Sequence, residues 1–116
     1  ILQYLQDNDY AVTLSAIDKP DKELNHLDDP LKYGLEHEQY VTSLIHTIYD
    51  AAYEVRDYRT MKFLDWYVSE QGEEEKNATD LLTQFELFGH DPKSLYSLNN
   101  ELTQRTYTQA AILNAD

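Results

Sequence analysis

Three residues, Arg56-Asp57-Tyr58, are all that separate two long apolar periods, and this constrains the fold more than any other feature. Before the break, Leu31, Val41, Ile45, Ile48, Ala52 and Val55 recur at 3-4 spacing, with Gly34 and Glu38 completing the row. After it the row reads Leu64, Tyr67, Gln71, Glu74, Ala78, Leu81, Phe85, Phe88. Each period predicts a helix, over 30–56 and 57–88, with Asp57 the N-cap of the second. A connection this short folds two helices antiparallel. The fold class is therefore all-α, two long antiparallel helices forming part of a four-helix bundle.

The flanks extend this reading. Residues 1–10 have the apolar spacing of a helix end (Ile1, Leu2, Tyr4, Leu5), closed by Asp7-Asn8-Asp9, whose short side chains compete for backbone hydrogen bonds. Residues 11–29 have no helical period and are long for a connection, as expected of a crossover along a bundle. Asp29-Pro30 suits a helix start, Asp to cap and Pro for the first helical position. Gly89 and Pro92 close the second long helix, and Leu95, Leu98 and Leu102 predict a short helix over 95–105. The whole of 1–116 reads as one partial domain, beginning inside a helix, with an upstream portion expected.

Charge narrows the partners. Nine Lys+Arg against 22 Asp+Glu give a formal net charge of -13, which opposes nucleic-acid phosphates and anionic membranes and favours cations. Without cysteine, any metal must bind through oxygen and nitrogen. Neither a signal-type N-terminus nor an apolar run of about 18 residues is present, so a cytoplasmic location is expected.

Two members of the apolar rows are carboxylates. Glu38 lies 19 residues before Asp57 and Glu74 lies 17 after it. At 1.5 Å per residue they stand roughly 28 Å and roughly 26 Å from the turn, hence level with each other. Facing carboxylates in a core repel and are costly to desolvate unless a cation or proton lies between them. Carboxylate oxygens suit hard ions such as Fe, Mn, Mg and Ca. Gln71, one turn before Glu74, can add an amide oxygen or a hydrogen bond, and Glu70 and Glu73 flank the same face. The competing reading is a solvated charge run, Glu73-Glu74-Glu75, paired with Lys76. It leaves unexplained why Glu38 and Glu74 share a level.

The remaining candidates have plainer readings. Glu23-x-x-His26 has metal-site spacing but falls in the crossover, and His37, His46 and His90 fall off the core rows. Trp66 and Tyr67 suit packing between helices, with electron transfer the alternative use. No phosphate loop, catalytic triad or zinc pattern is present.

The stretch Leu64-Asp65-Trp66-Tyr67-Val68-Ser69-Glu70-Gln71-Gly72-Glu73-Glu74-Glu75 resembles the fourth-helix motif of bacterial non-haem ferritins. Glu36-His37-Glu38-Gln39 resembles their third-helix segment, and Leu95-Tyr96 through Glu101-Leu102 their short fifth helix. The resemblance implies a ferritin-like four-helix bundle, of which this is the C-terminal half. It also implies iron storage, with oxidation of Fe(II) to Fe(III), in a homo-oligomeric shell of twenty-four subunits. Glu38 and Glu74 would then ligate one iron of a di-iron site, Gln71 would approach its oxygen side, and Glu70 and Glu73 would help hold a third, adjacent iron. The family's ligands for the other iron, a Glu and a Glu-x-x-His from the first two helices, would precede Ile1. Asn77, not His, follows Glu74 by three residues, unlike the bacterioferritins.

The leading expectation is thus a bacterial ferritin subunit, with iron as its cofactor and ferroxidase turnover impaired in this truncated chain. The alternative is a non-catalytic acidic helical hairpin that self-assembles into a four-helix bundle as a small oligomer, with or without metal.

Overall fold

The computed structural model describes residues 1–106, and the tail from Tyr107 onward, part of the expected single domain, lies outside the described residues. Among the described residues four helices follow in order: α1 (Leu2–Asp7), α2 (Asp29–Glu54), α3 (Tyr58–Phe88) and α4 (Pro92–Thr103). Among the described residues there is no strand, and no helix is long and apolar enough to cross a membrane. The two long helices pack together as an antiparallel hairpin, while α4 lies against α3.

α1 and α2 end in the same way. Asp9 and Arg56 take left-handed φ of 60° and 57°. At the first, Tyr10 N–H donates to Leu5 O (2.9 Å) and Asp9 N–H to Gln6 O (3.0 Å). At the second, Asp57 N–H donates to Ala52 O (2.8 Å) and Arg56 N–H to Tyr53 O (3.1 Å). Each is a Schellman motif, which satisfies carbonyls the helix itself leaves free, yet neither uses glycine. A side chain in this conformation is strained by about 1–2 kcal/mol. Arg56→Gly is therefore expected to raise the unfolding free energy by about 1 kcal/mol, the relief less the extra chain entropy of glycine. The midpoint of urea unfolding reads this directly, and a lower midpoint would refute the strain assignment.

Gly89 closes α3 as expected, but without a left-handed turn. Its φ of -73° and ψ of -8° are right-handed, so the residue is not needed for a left-handed turn. Its small size matters instead, because a Cβ there would stand 2.6 Å from the carbonyl oxygen of Phe85 and 2.7 Å from its ring.

The helix starts also differ in detail. Asp28, not Asp29, is the N-cap of α2, and it pairs with Lys32 at 2.7 Å. The buried Asp29 turns backwards, its Oδ2 accepting from the amides of Asn25 (2.9 Å) and His26 (3.0 Å). It pins the end of the crossover to the helix. Asp57 caps α3 by accepting from the Thr60 amide (3.1 Å) and hydroxyl (2.6 Å), bonds that hold its carboxyl below the usual carboxylate range. Asp91 caps α4 through Ser94, with Pro92 in the first turn, so this helix begins three residues earlier than the apolar pattern alone suggests.

Among the described residues the buried hydrophobic ones are Ile45 and Ala52 on α2, Met61, Leu64 and Phe85 on α3, and Leu98 on α4. Leu64 is the deepest, at 2% exposure. Other members of the predicted rows face water: Ile48 and Val55 on α2, and Phe88 on α3. The reason is geometric. A hairpin gives each helix one long neighbour, which covers only part of a stripe built for a bundle.

Candidate functional site: the Glu38–Gln71 contact

Glu38 is in the third turn of α2, and Gln71 lies near the middle of α3. Gln71 is buried, and its Nε2 donates twice, to the backbone carbonyl of Glu38 (2.9 Å) and to Glu38 Oε2 (2.7 Å). The first acceptor fixes the orientation of the amide, because a carbonyl oxygen only accepts. Gln71 thus ties the side chain of Glu38 to the facing helix while its own Oε1 remains for another partner. A buried amide hydrogen-bonded to a carboxylate is stronger than a neutral pair, so this contact also sets hairpin register.

The other residues singled out from sequence are arranged less tightly. Glu70 is half-buried, Glu73 and Glu74 are exposed, and Glu38 is half-buried. The expectation of two mostly buried, facing carboxylates is corrected for Glu74, which lies on the open side of α3. Glu38 meets the amide of Gln71 and does not need a cation for its burial. No group of three or more His, Asp or Glu side chains among the described residues lies close enough to hold a metal ion. The donor set is nonetheless of the right kind: four carboxylates and one amide, within two turns of α3 and one position of α2, are hard oxygen donors.

The histidines are elsewhere. His26 contributes its amide to Asp29, and the ring of His90 meets that of Phe85 edge-on (centroids 6.1 Å apart). Trp66 and Tyr67 pack as the sequence leads one to expect, but in a larger cluster, one turn nearer the hairpin loop, whose other members, Phe63 and Tyr4, sequence reasoning missed. Tyr4 of α1 stacks on Phe63 at 4.0 Å and 11°, Phe63 meets Tyr67 at 5.4 Å, and Trp66 meets Tyr67 edge-on at 4.9 Å. The Tyr4 hydroxyl hydrogen-bonds Thr60 Oγ1 at 2.8 Å. Phe63 breaks the counted row, and that signal alone would have placed it beside the core.

Two long antiparallel helices, joined by the Gln71–Glu38 hydrogen bond, define a helical hairpin with an acidic face. Residues 1–88 match the family model described as a Ferritin-like domain, and the chain belongs to that family. It is 33% identical over 102 residues to a probable bacterial non-heme ferritin-like protein of Haemophilus influenzae, covering 88% of this chain and 62% of that one. It is 34% identical over 103 residues to the bacterial non-heme ferritin of Escherichia coli O6:H1, covering 89% and 62%. Among solved structures, a closed form of Archaeoglobus fulgidus ferritin engineered by site-directed mutagenesis superposes with a TM-score of 0.87 at 34% identity, over 92% of this chain and 65% of that one. The fold is a ferritin-like helical bundle. The chain spans 62% of the length of these curated relatives.

Proposed function

We propose that this chain is part of a ferritin subunit that binds Fe(II), oxidises it with dioxygen or peroxide, and stores the Fe(III) formed. The observation that carries this is the Glu38–Gln71 contact in the middle of a ferritin-like hairpin. Iron is the substrate. Glu38 and Glu74 would take it, Glu70 and Glu73 would hold a further ion beside it, and Gln71 would fix Glu38 or bind through its Oε1. Carboxylates suit both oxidation states, and their charge favours the ferric product. Efficient turnover would depend on ligands that the resemblance assigns to the part of a ferritin that this chain does not span. Assembly into a homo-oligomeric shell and a cytoplasmic location belong to the same proposal.

The test is aerobic addition of Fe(II). We expect growth of ferric absorbance faster than in protein-free buffer, with iron retained on the protein through gel filtration. Iron that elutes entirely apart from the protein would contradict the reading.

One observation favours a second reading. Tyr40, Leu44 and Ile48, spaced one turn apart on α2, are all exposed, as on a surface built to be covered. In the absence of iron binding, a metal-independent dimer seen by light scattering would identify a non-catalytic acidic hairpin.

A further inference from the structure

An apolar groove lies at the end of the hairpin far from the three-residue turn, where the start of α2, the end of α3 and α4 come together. Its volume is about 510 Å³, and among the described residues none that lines it is charged. The buried side chains of Phe85 and Leu98 belong to it, with Leu31, Leu95 and Leu102 half-buried and Leu27 74% exposed. α4 packs against α3 alone, so α2 and α4 face each other across the groove without touching. Apolar side chains left in water together mark a surface that something covers.

The sequence supplies an occupant. α4 ends at Thr103, one residue after Leu102 of the groove, and the chain continues through residues 107–116. From Tyr107 to Ala115 that segment holds no Asp, Glu, Lys or Arg, in a chain with 27% charged residues, and Ala110, Ala111, Ile112 and Leu113 follow one another within it. An uncharged segment loses little hydration on entering an uncharged groove, whereas a piece of the acidic surface would carry unpaired carboxylates in with it. Reach is ample. Ile112 lies seven residues past Arg105, enough chain to span roughly 23 Å, whereas Leu95 and Leu102 are about 10 Å apart along α4. A tethered segment also meets the groove at a high effective concentration, roughly millimolar for a short linker, which a separate copy of the chain must reach in bulk.

We propose that residues 107–116 return along α4 and lay Ile112 and Leu113 in this groove, tying α4 to the start of α2. Tyr96 and Asn99, which also line it, offer a hydroxyl and an amide to backbone groups of the segment that would otherwise be buried unpaired. The segment is then an intramolecular cap, and a second copy must displace it before docking on the same surface.

The chain has no cysteine, so one introduced thiol reports on the groove. Leu31→Cys places it on the α2 side, and its reaction with excess N-ethylmaleimide is followed in the full-length chain. The rate should rise at least fivefold when residues 107–116 are removed. It should rise as much in the full-length chain carrying Ile112→Asp and Leu113→Asp, which separates loss of the apolar contact from any effect of shortening. A thiol introduced instead by Ser69→Cys, at an exposed position of α3, should react equally in all three chains. Equal rates for Leu31→Cys with and without the two aspartate substitutions would overturn the proposal. So would protection that strengthens with protein concentration, because it would assign the groove to a second copy. No metal enters the experiment, and the iron reading keeps its own test.

Discussion

Leu64→Ala should lower the unfolding free energy by about 2–5 kcal/mol, the range for a leucine truncated in a tightly packed site. Leu64 is the least exposed of the buried hydrophobic residues and sits where α3 meets α2. Its loss removes transfer energy and leaves a cavity that two rigid helices cannot close. Urea unfolding should show the midpoint falling with the slope unchanged. Leu64→Met, which conserves volume, should cost less than about 1.5 kcal/mol. Leu87→Ala, at a position 68% exposed, should fall within about 0.5 kcal/mol of the parent. Equal effects at Leu64 and Leu87 would mean that the hairpin interface is not what holds the chain together.

The second large effect belongs to Gln71. Gln71→Leu fills the same space but deletes both hydrogen bonds to Glu38, leaving a half-buried carboxylate without its donor. The expected cost is about 1–3 kcal/mol, mostly the desolvation of Glu38. A double-mutant cycle separates this from lost packing: with Glu38→Gln already in place, Gln71→Leu should cost clearly less, the coupling energy being about 0.5–3 kcal/mol. Additive effects would show that the two side chains do not support each other in solution. In the parent chain, iron should compete for Glu38, so stabilisation by added Fe(II) should be altered in Gln71→Leu.

What could be read from the sequence, and what could not, follows from the range of each interaction. The hairpin was legible because a 3.6-residue period over two long segments and a three-residue break leave one compact solution. Asp57 as the cap of α3 was legible for the same local reason, the amide of Thr60 lying three residues on. The helix ends were harder. Gly89 ends α3 as expected, yet the left-handed conformation that glycine commonly supplies at a helix end is taken by Asp9 and Arg56 instead. Hydrogen bonding to carbonyls five residues back outweighs the side-chain strain at the first two positions, and the ring of Phe85 decides the third.

At the candidate site, counting residues from Asp57 brought Glu38 close to the right stretch of α3, but not to the right partner. Gln71 faces Glu38, and Glu74 lies a turn further on and exposed. A rise of 1.5 Å per residue locates a level to within about one turn, and side-chain reach decides the contact. The stack of Tyr4 on Phe63 joins residues 59 apart across the crossover, and no local pattern encodes such a pairing.

The central claim is that the acidic face of α2 and α3 binds Fe(II) through Glu38 and Glu74. Anaerobic calorimetric titration of Fe(II) into the chain and into Glu74→Ala tests it most directly. The account predicts saturable binding in the parent and at least tenfold weaker binding in Glu74→Ala, with both proteins equally helical. Identical isotherms for the two proteins would contradict it.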